Sequence, residues 1–120
     1  MAYTYRMASI PVTVIETPQF LRQADDVWAD DERAEFVDFI ARNPEAGDVI
    51  PETGGIRKVR WRRQGSGKRG GVRVIYFYHN TATPIFLLMV YAKAMREDVP
   101  PDAKQALARF AMQIKQARQR

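Results

Sequence analysis

The pattern of apolar and polar positions divides this chain into helical and extended stretches. After Pro11, the β-branched run Val12-Thr13-Val14-Ile15-Glu16 predicts a short strand. Thr17-Pro18 then supplies an N-cap and a proline at the first helical position. Phe20, Ala24, Val27 and Trp28 follow at helical spacing. A second helix opens on Asp30-Asp31-Glu32, whose carboxylates suit the positive end of a helix dipole. Phe36, Phe39 and Ile40 form its apolar stripe, and Asn43-Pro44 ends it, because the residue before proline avoids helical angles. Residues 45–55, with Pro51 and their glycines, read as a loop.

Three strands follow: Ile56 to Arg63, Val72 to His79, and Ile85 to Lys93. The glycine-rich stretch 64–71 joins the first two, and a turn at 80–84 joins the last two. Ile85 to Lys93 is apolar at successive positions, the mark of a strand covered on both faces. Pro100-Pro101-Asp102 starts a last helix with Ala103, Leu107, Phe110 and Ile114 on one side. The order β-α-α-β-β-β-α predicts an α+β fold: a small antiparallel sheet, made of a β-meander plus an N-terminal strand, with an N-terminal helical hairpin and a C-terminal helix. Residues 1–11 read as an extension and 12–120 as one domain, the usual outcome for 120 residues.

Charge changes this picture more than bulk composition does. Residues 1–52 hold four cations and eleven acids, residues 53–96 ten cations and no acid, and residues 97–120 five cations and three acids. The chain is therefore acidic first and basic afterwards, with a net charge of +5. Eight of the cations (Arg57, Lys58, Arg60, Arg62, Arg63, Lys68, Arg69 and Arg73) lie on the first two meander strands and the loop between them. Like charges packed this closely repel, so an anionic partner is expected, with RNA the first candidate.

The remaining chemistry is narrow. No cysteine is present, which excludes disulfides and thiolate chemistry and fits a cytoplasmic protein. The apolar runs are too short to span a bilayer and the first residues lack a signal core, so no membrane association is expected. His79 is the single histidine and reads as a surface residue at a strand end; neither a metal site nor a Ser-His-Asp triad is expected, and no cofactor. Gly65-Ser66-Gly67-Lys68-Arg69-Gly70-Gly71 lacks Walker spacing and joins two strands, which excludes a nucleotidase loop. Cationic chemistry remains. RNA carries its own nucleophile, the ribose 2′-hydroxyl, and its cleavage needs a base, positive charge at the phosphate and an acid for the leaving oxygen. A lysine crowded by cations loses proton affinity, and arginine grips phosphate at two points. Strand alternation predicts Lys58, Arg60 and Arg62 on one face, and Arg57, Val59, Trp61 and Arg63 on the other. Arg57, Arg62, Arg63, Lys68 and Arg69 are candidate RNA-binding cations, and Trp61 and Tyr91 candidate base-stacking rings.

Gly47-Asp48-Val49-Ile50, Gly54 to Arg60, Gly67 to Phe77, and Leu87 to Lys93 together resemble the HigB-like branch of the RelE/ParE toxin superfamily, over roughly residues 12 to 115. The resemblance implies a small α+β toxin of a type II toxin–antitoxin module, cutting messenger RNA on the ribosome without a metal and restrained by a HigA-like helix-turn-helix antitoxin. It implies Lys58 and Arg60 as proton acceptor and phosphate binder, Arg73 as holder of the scissile phosphate, and Lys93 as the lysine closing the last strand. Ala94 and the Val99-Pro100 region depart from the RelE pattern of an arginine and a tyrosine there, which leaves Arg73, Lys93 or Tyr91 as general acid. Two other readings stand beside this one: a ParE-like inhibitor of DNA gyrase, and a non-catalytic RNA-binding module.

Overall fold

A computed structural model describes residues 10–63, 71–95 and 98–118. The elements follow in the order β1 (Val14–Glu16), α1 (Pro18–Val27), α2 (Asp30–Arg42), β2 (Asp48–Val49), β3 (Ile56–Trp61), β4 (Val72–Phe77), β5 (Ile85–Ala92) and α3 (Pro101–Arg118). The fold is α+β, with three helices and one five-stranded sheet. Most of the expected extension, residues 1–9, lies outside the described residues.

Local chemistry explains where the helices begin. Thr17 Oγ1 accepts the Phe20 amide and donates to the Leu87 carbonyl at 2.7 Å, so one hydroxyl both caps α1 and ties it to β5. Glu32 takes the Ala29 amide at 2.8 Å, half of a capping box, and starts α2. Asn43 lies just past the end of α2, before Pro44, as the sequence pattern requires.

The strands line up as β1-β5-β4-β3-β2. The meander β3-β4-β5 is antiparallel, whereas β1 joins β5 in parallel, which makes the sheet mixed. β2 is an addition to the expected order: it lies inside the stretch read as loop, and pairs Asp48 with Lys58 and Val49 with Arg57. Two residues carry no readable period, so only the register against β3 reveals this strand. The surrounding loop is pinned from beneath. Tyr76 Oη accepts the Gly47 amide and donates to the Pro44 carbonyl, each at 2.8 Å, and Arg57 Nη1 donates to the Gly47 carbonyl at 2.7 Å. A Cβ at Gly47 would meet the Lys58 carbonyl at 2.8 Å, so only glycine permits this approach.

The two faces of the sheet are covered unequally. On one, Val72, Val74, Tyr76, Leu87 and Val90 meet Phe20, Ala24, Trp28, Phe36 and Ile40 of the α1–α2 hairpin. On the other, Ile56, Ile75, Phe77, Leu88 and Met89 meet Leu107 and Ala111 of α3. A bulge lets this happen. The register slips between Ile75 and Tyr76, so Leu88 and Met89 both join the α3 face instead of alternating. Burying each large apolar side chain contributes about 1.5–3 kcal/mol before entropy is counted.

A cationic cleft at the open end of the sheet

Cross-strand partners in a sheet share a face, so the register places side chains in rows. On the α3 side one row is Ile56 with Phe77 and Phe86; the next is Lys58 with Ile75 and Met89; the last is Arg60 with Arg73 and Tyr91. α3 packs over the apolar end through Leu107, Phe110 and Ala111. The cationic end opens into a cleft of about 380 Å³ lined by Ala46, Asp48, Lys58, Val59, Arg60 and Arg73. Alternation puts Lys58 and Arg60 on this face, and the β3–β4 register brings Arg73 beside them.

The three cations differ in environment. Arg73 is only 2% exposed although it lines the cleft, so its stem is packed and its guanidinium orientation is fixed by the core. Its Nη1 lies 3.4 Å from the Val72 carbonyl. Arg60 is exposed, at the β3 position paired with Arg73. Lys58 is half-buried and its Nζ donates to Asp98 Oδ1 at 2.8 Å. A buried, oriented guanidinium beside an exposed one is an arrangement that can hold a phosphate at more than one oxygen.

The expected acid-free patch is corrected by the fold. Asp48, on β2, lines the cleft, and Asp98 pairs with Lys58. Both carboxylates come from outside the acid-free segment, because pairing of β2 with β3 and the approach to α3 cross the sequence. The Lys58 ammonium holds the Asp98 carboxyl below the usual carboxylate range, first by hydrogen bonding and then by charge, with Lys104 adding a smaller charge effect. An anion this close also offsets the crowding of positive charge expected from the sequence.

Other predicted site residues are placed elsewhere. Arg62 does not share the face of Lys58 and Arg60. β3 ends at Trp61, so alternation stops there, and Arg62 turns to Glu35 of α2, with Nη2–Oε1 at 2.7 Å and its guanidinium 4.6 Å from the Trp61 ring centre. Its carbonyl accepts the Trp28 indole N–H at 3.1 Å. Trp61 packs against Phe39 and Phe36, with ring centres 4.6 and 5.4 Å apart, on the hairpin side. Arg57 holds the Glu45–Gly47 carbonyls. Arg63 and Tyr91 line a separate cavity of about 560 Å³ with Gln23 and Met95. Lys93 is exposed one residue past β5 and is not among the residues lining the cationic cleft. Lys68 and Arg69 lie outside the described residues. Asp48, Tyr76 and Asp98 were missed in the sequence; Asp98 had a signal, as an acid in the turn before a proline-started helix, but nothing tied it to Lys58.

A model of the family described as "RelE toxin of RelE / RelB toxin-antitoxin system" matches residues 16–120. This chain belongs to the RelE toxin family. A double arginine-to-alanine mutant of the E. coli toxin RelE, solved in the free state, shares its fold with a TM-score of 0.52 at 14% identity, over 73% of this chain and 90% of that one. At that identity the likeness speaks for architecture. The family match makes the protein a RelE-like toxin of a toxin–antitoxin system, and within this RelE-type fold the cationic cleft occupies the end of the sheet that α3 leaves open.

Proposed function

We propose that this RelE-family toxin is a ribosome-dependent endoribonuclease of the HigB-like branch, cutting messenger RNA without a metal and arresting translation. The observation that carries the reading is the convergence of Lys58, Arg60 and Arg73 on one open cleft. RNA supplies the nucleophile, its own 2′-hydroxyl. Arg73, fixed by its packing, and Arg60, across from it, stabilise the phosphate as charge builds on its oxygens. Lys58 is the proton acceptor in this reading. The proton for the departing oxygen comes in this reading from Arg73, from Tyr91, its cross-strand neighbour, or from Lys93 just beyond the strand end. The antitoxin in this reading is a HigA-like helix-turn-helix protein whose acidic surface complements the cleft.

Mapping messenger 5′ ends after brief induction tests the reading. Wild type should create new ends within translated codons, and Arg73→Ala should create none. Cleavage and growth arrest that survive Arg73→Ala would rule out the assigned chemistry. DNA damage without new messenger ends would move the protein to the gyrase-directed class, and binding to ribosomes without cleavage to the RNA-binding one.

A further inference from the structure

Lys58 belongs to two clefts. One is the cationic cleft it shares with Arg60 and Arg73; the other, about 360 Å³, is walled by Val49, Ile50, Pro51 and Val99 and contains Asp98 and Lys104. At their junction the Lys58 ammonium sits 2.8 Å from the Asp98 carboxylate, its partner among the described residues. We propose that Asp98 is an internal substitute for phosphate: its carboxylate occupies Lys58 in the free protein, and an RNA phosphate must displace it to recruit that ammonium. The inference rests on the reading of the cleft as an RNA site and deepens it.

Several features single Asp98 out as a displaceable occupant. It precedes α3, which starts at Pro101, and its carboxylate hydrogen bond goes to Lys58, so it does not act as the helix cap. Its side chain is 76% exposed while that of Lys58 is 28% exposed, which lets the carboxylate swing out while the lysine stays at the cleft wall. The ammonium clearly favours an anion there, because it keeps the Asp98 carboxyl charged below the normal range. Yet an exposed ion pair is weak, and a polyanion competes with it well. Two other paired cations near this end of the sheet differ. Arg62 is held by Glu35 away from the cleft, and Arg57 by backbone carbonyls within the loop. At Lys58 an exposed side-chain carboxylate holds a cation that also lines the cleft with Arg60 and Arg73.

The test uses the purified full chain and a fluorescein-labelled single-stranded oligoribonucleotide, with affinity read by anisotropy at fixed low salt. Asp98→Asn should bind roughly two- to fivefold tighter than wild type, the scale of one exposed ion pair. Asp102→Asn, which removes an acid of α3's first turn, should give a smaller gain. In a Lys58→Met background the gain from Asp98→Asn should fall to that of Asp102→Asn. An equal gain with and without Lys58 would reduce Asp98 to general repulsion and overturn the proposal. An unchanged or weakened affinity would overturn it too, and make Asp98 a support for Lys58. If Lys58→Met binds too weakly to measure, the Asp98→Asn and Asp102→Asn comparison decides: equal gains reject the proposal. Absence of RNA binding by wild type and every variant would sink the RNA reading itself, and the latch with it. Binding with no Lys58-dependent gain sinks only the latch.

Discussion

The two faces of the sheet divide labour. The α1–α2 face is closed by a continuous aromatic cluster in which Trp28, Phe36, Phe39 and Trp61 touch in series, with ring centres 4.6–6.4 Å apart. The α3 face is closed at one end by Leu107 and Ala111 and left open at the other, where the register sets Arg60 beside Arg73. The same strands serve both. Val74 enters the aromatic side while its neighbours Arg73 and Ile75 enter the other, so one alternating sequence carries stability on one side and charge on the other. The lesson is that a cluster of like charges is tolerated where a packed layer directly beneath holds the strands together.

That division can be broken from the stability side first. Phe36→Ala should cost about 3–5 kcal/mol, because the fully buried ring leaves a cavity between Trp28 and Trp61; denaturant unfolding measures it. A loss below about 1 kcal/mol would mean that the aromatic side is not the main source of stability. On the open face, Arg73→Ala should lower the rate of messenger cleavage on the order of 10²–10³-fold, the scale of removing one preorganised charge donor. Single-turnover cleavage on programmed ribosomes, with circular dichroism as the folding control, reads this effect.

Tyr76 joins the two regions, since its ring is in the hairpin-side core and its hydroxyl holds the loop that walls the cleft. Tyr76→Phe should cost about 1–3 kcal/mol, because the buried Gly47 amide loses its acceptor. Burial, partly offset by the Gly47 hydrogen bond, pushes the phenol up from its usual 10.0. The folded state therefore favours the neutral phenol. That contribution is whole below pH 10 and fades as pH rises through the higher folded value, so alkaline unfolding curves of wild type and Tyr76→Phe should converge. The smallest effect is expected at Glu35→Ala. Its bridge to Arg62 is largely exposed, so stability should change by at most about 1 kcal/mol. A larger loss would show that the strand end, and not the aromatic layer alone, secures that side.

Much of the fold was legible. Thr17-Pro18, Asp30-Asp31-Glu32 and Asn43-Pro44 marked helix ends through local chemistry, and those ends are where the helices start and stop. Alternation along β3 put Lys58 and Arg60 on one face, and only the β3–β4 register, which pairs Arg60 with Arg73, added Arg73 to it. Arg62 failed for a definite reason. Alternation holds only while a strand lasts, and β3 stops one residue before it. β2 escaped because two residues have no period of their own.

The sequence by itself determined the three helices, the longer strands and the segregation of charge, because caps, periodicity and charge act over a few residues. Only the tertiary structure decided that β1 lies parallel to β5, that α3 stops short of the arginine row, and that Asp98 reaches Lys58 across forty positions of chain. Those outcomes depend on contacts between residues far apart in sequence. Their energies are set by how whole surfaces pack, which no local pattern records.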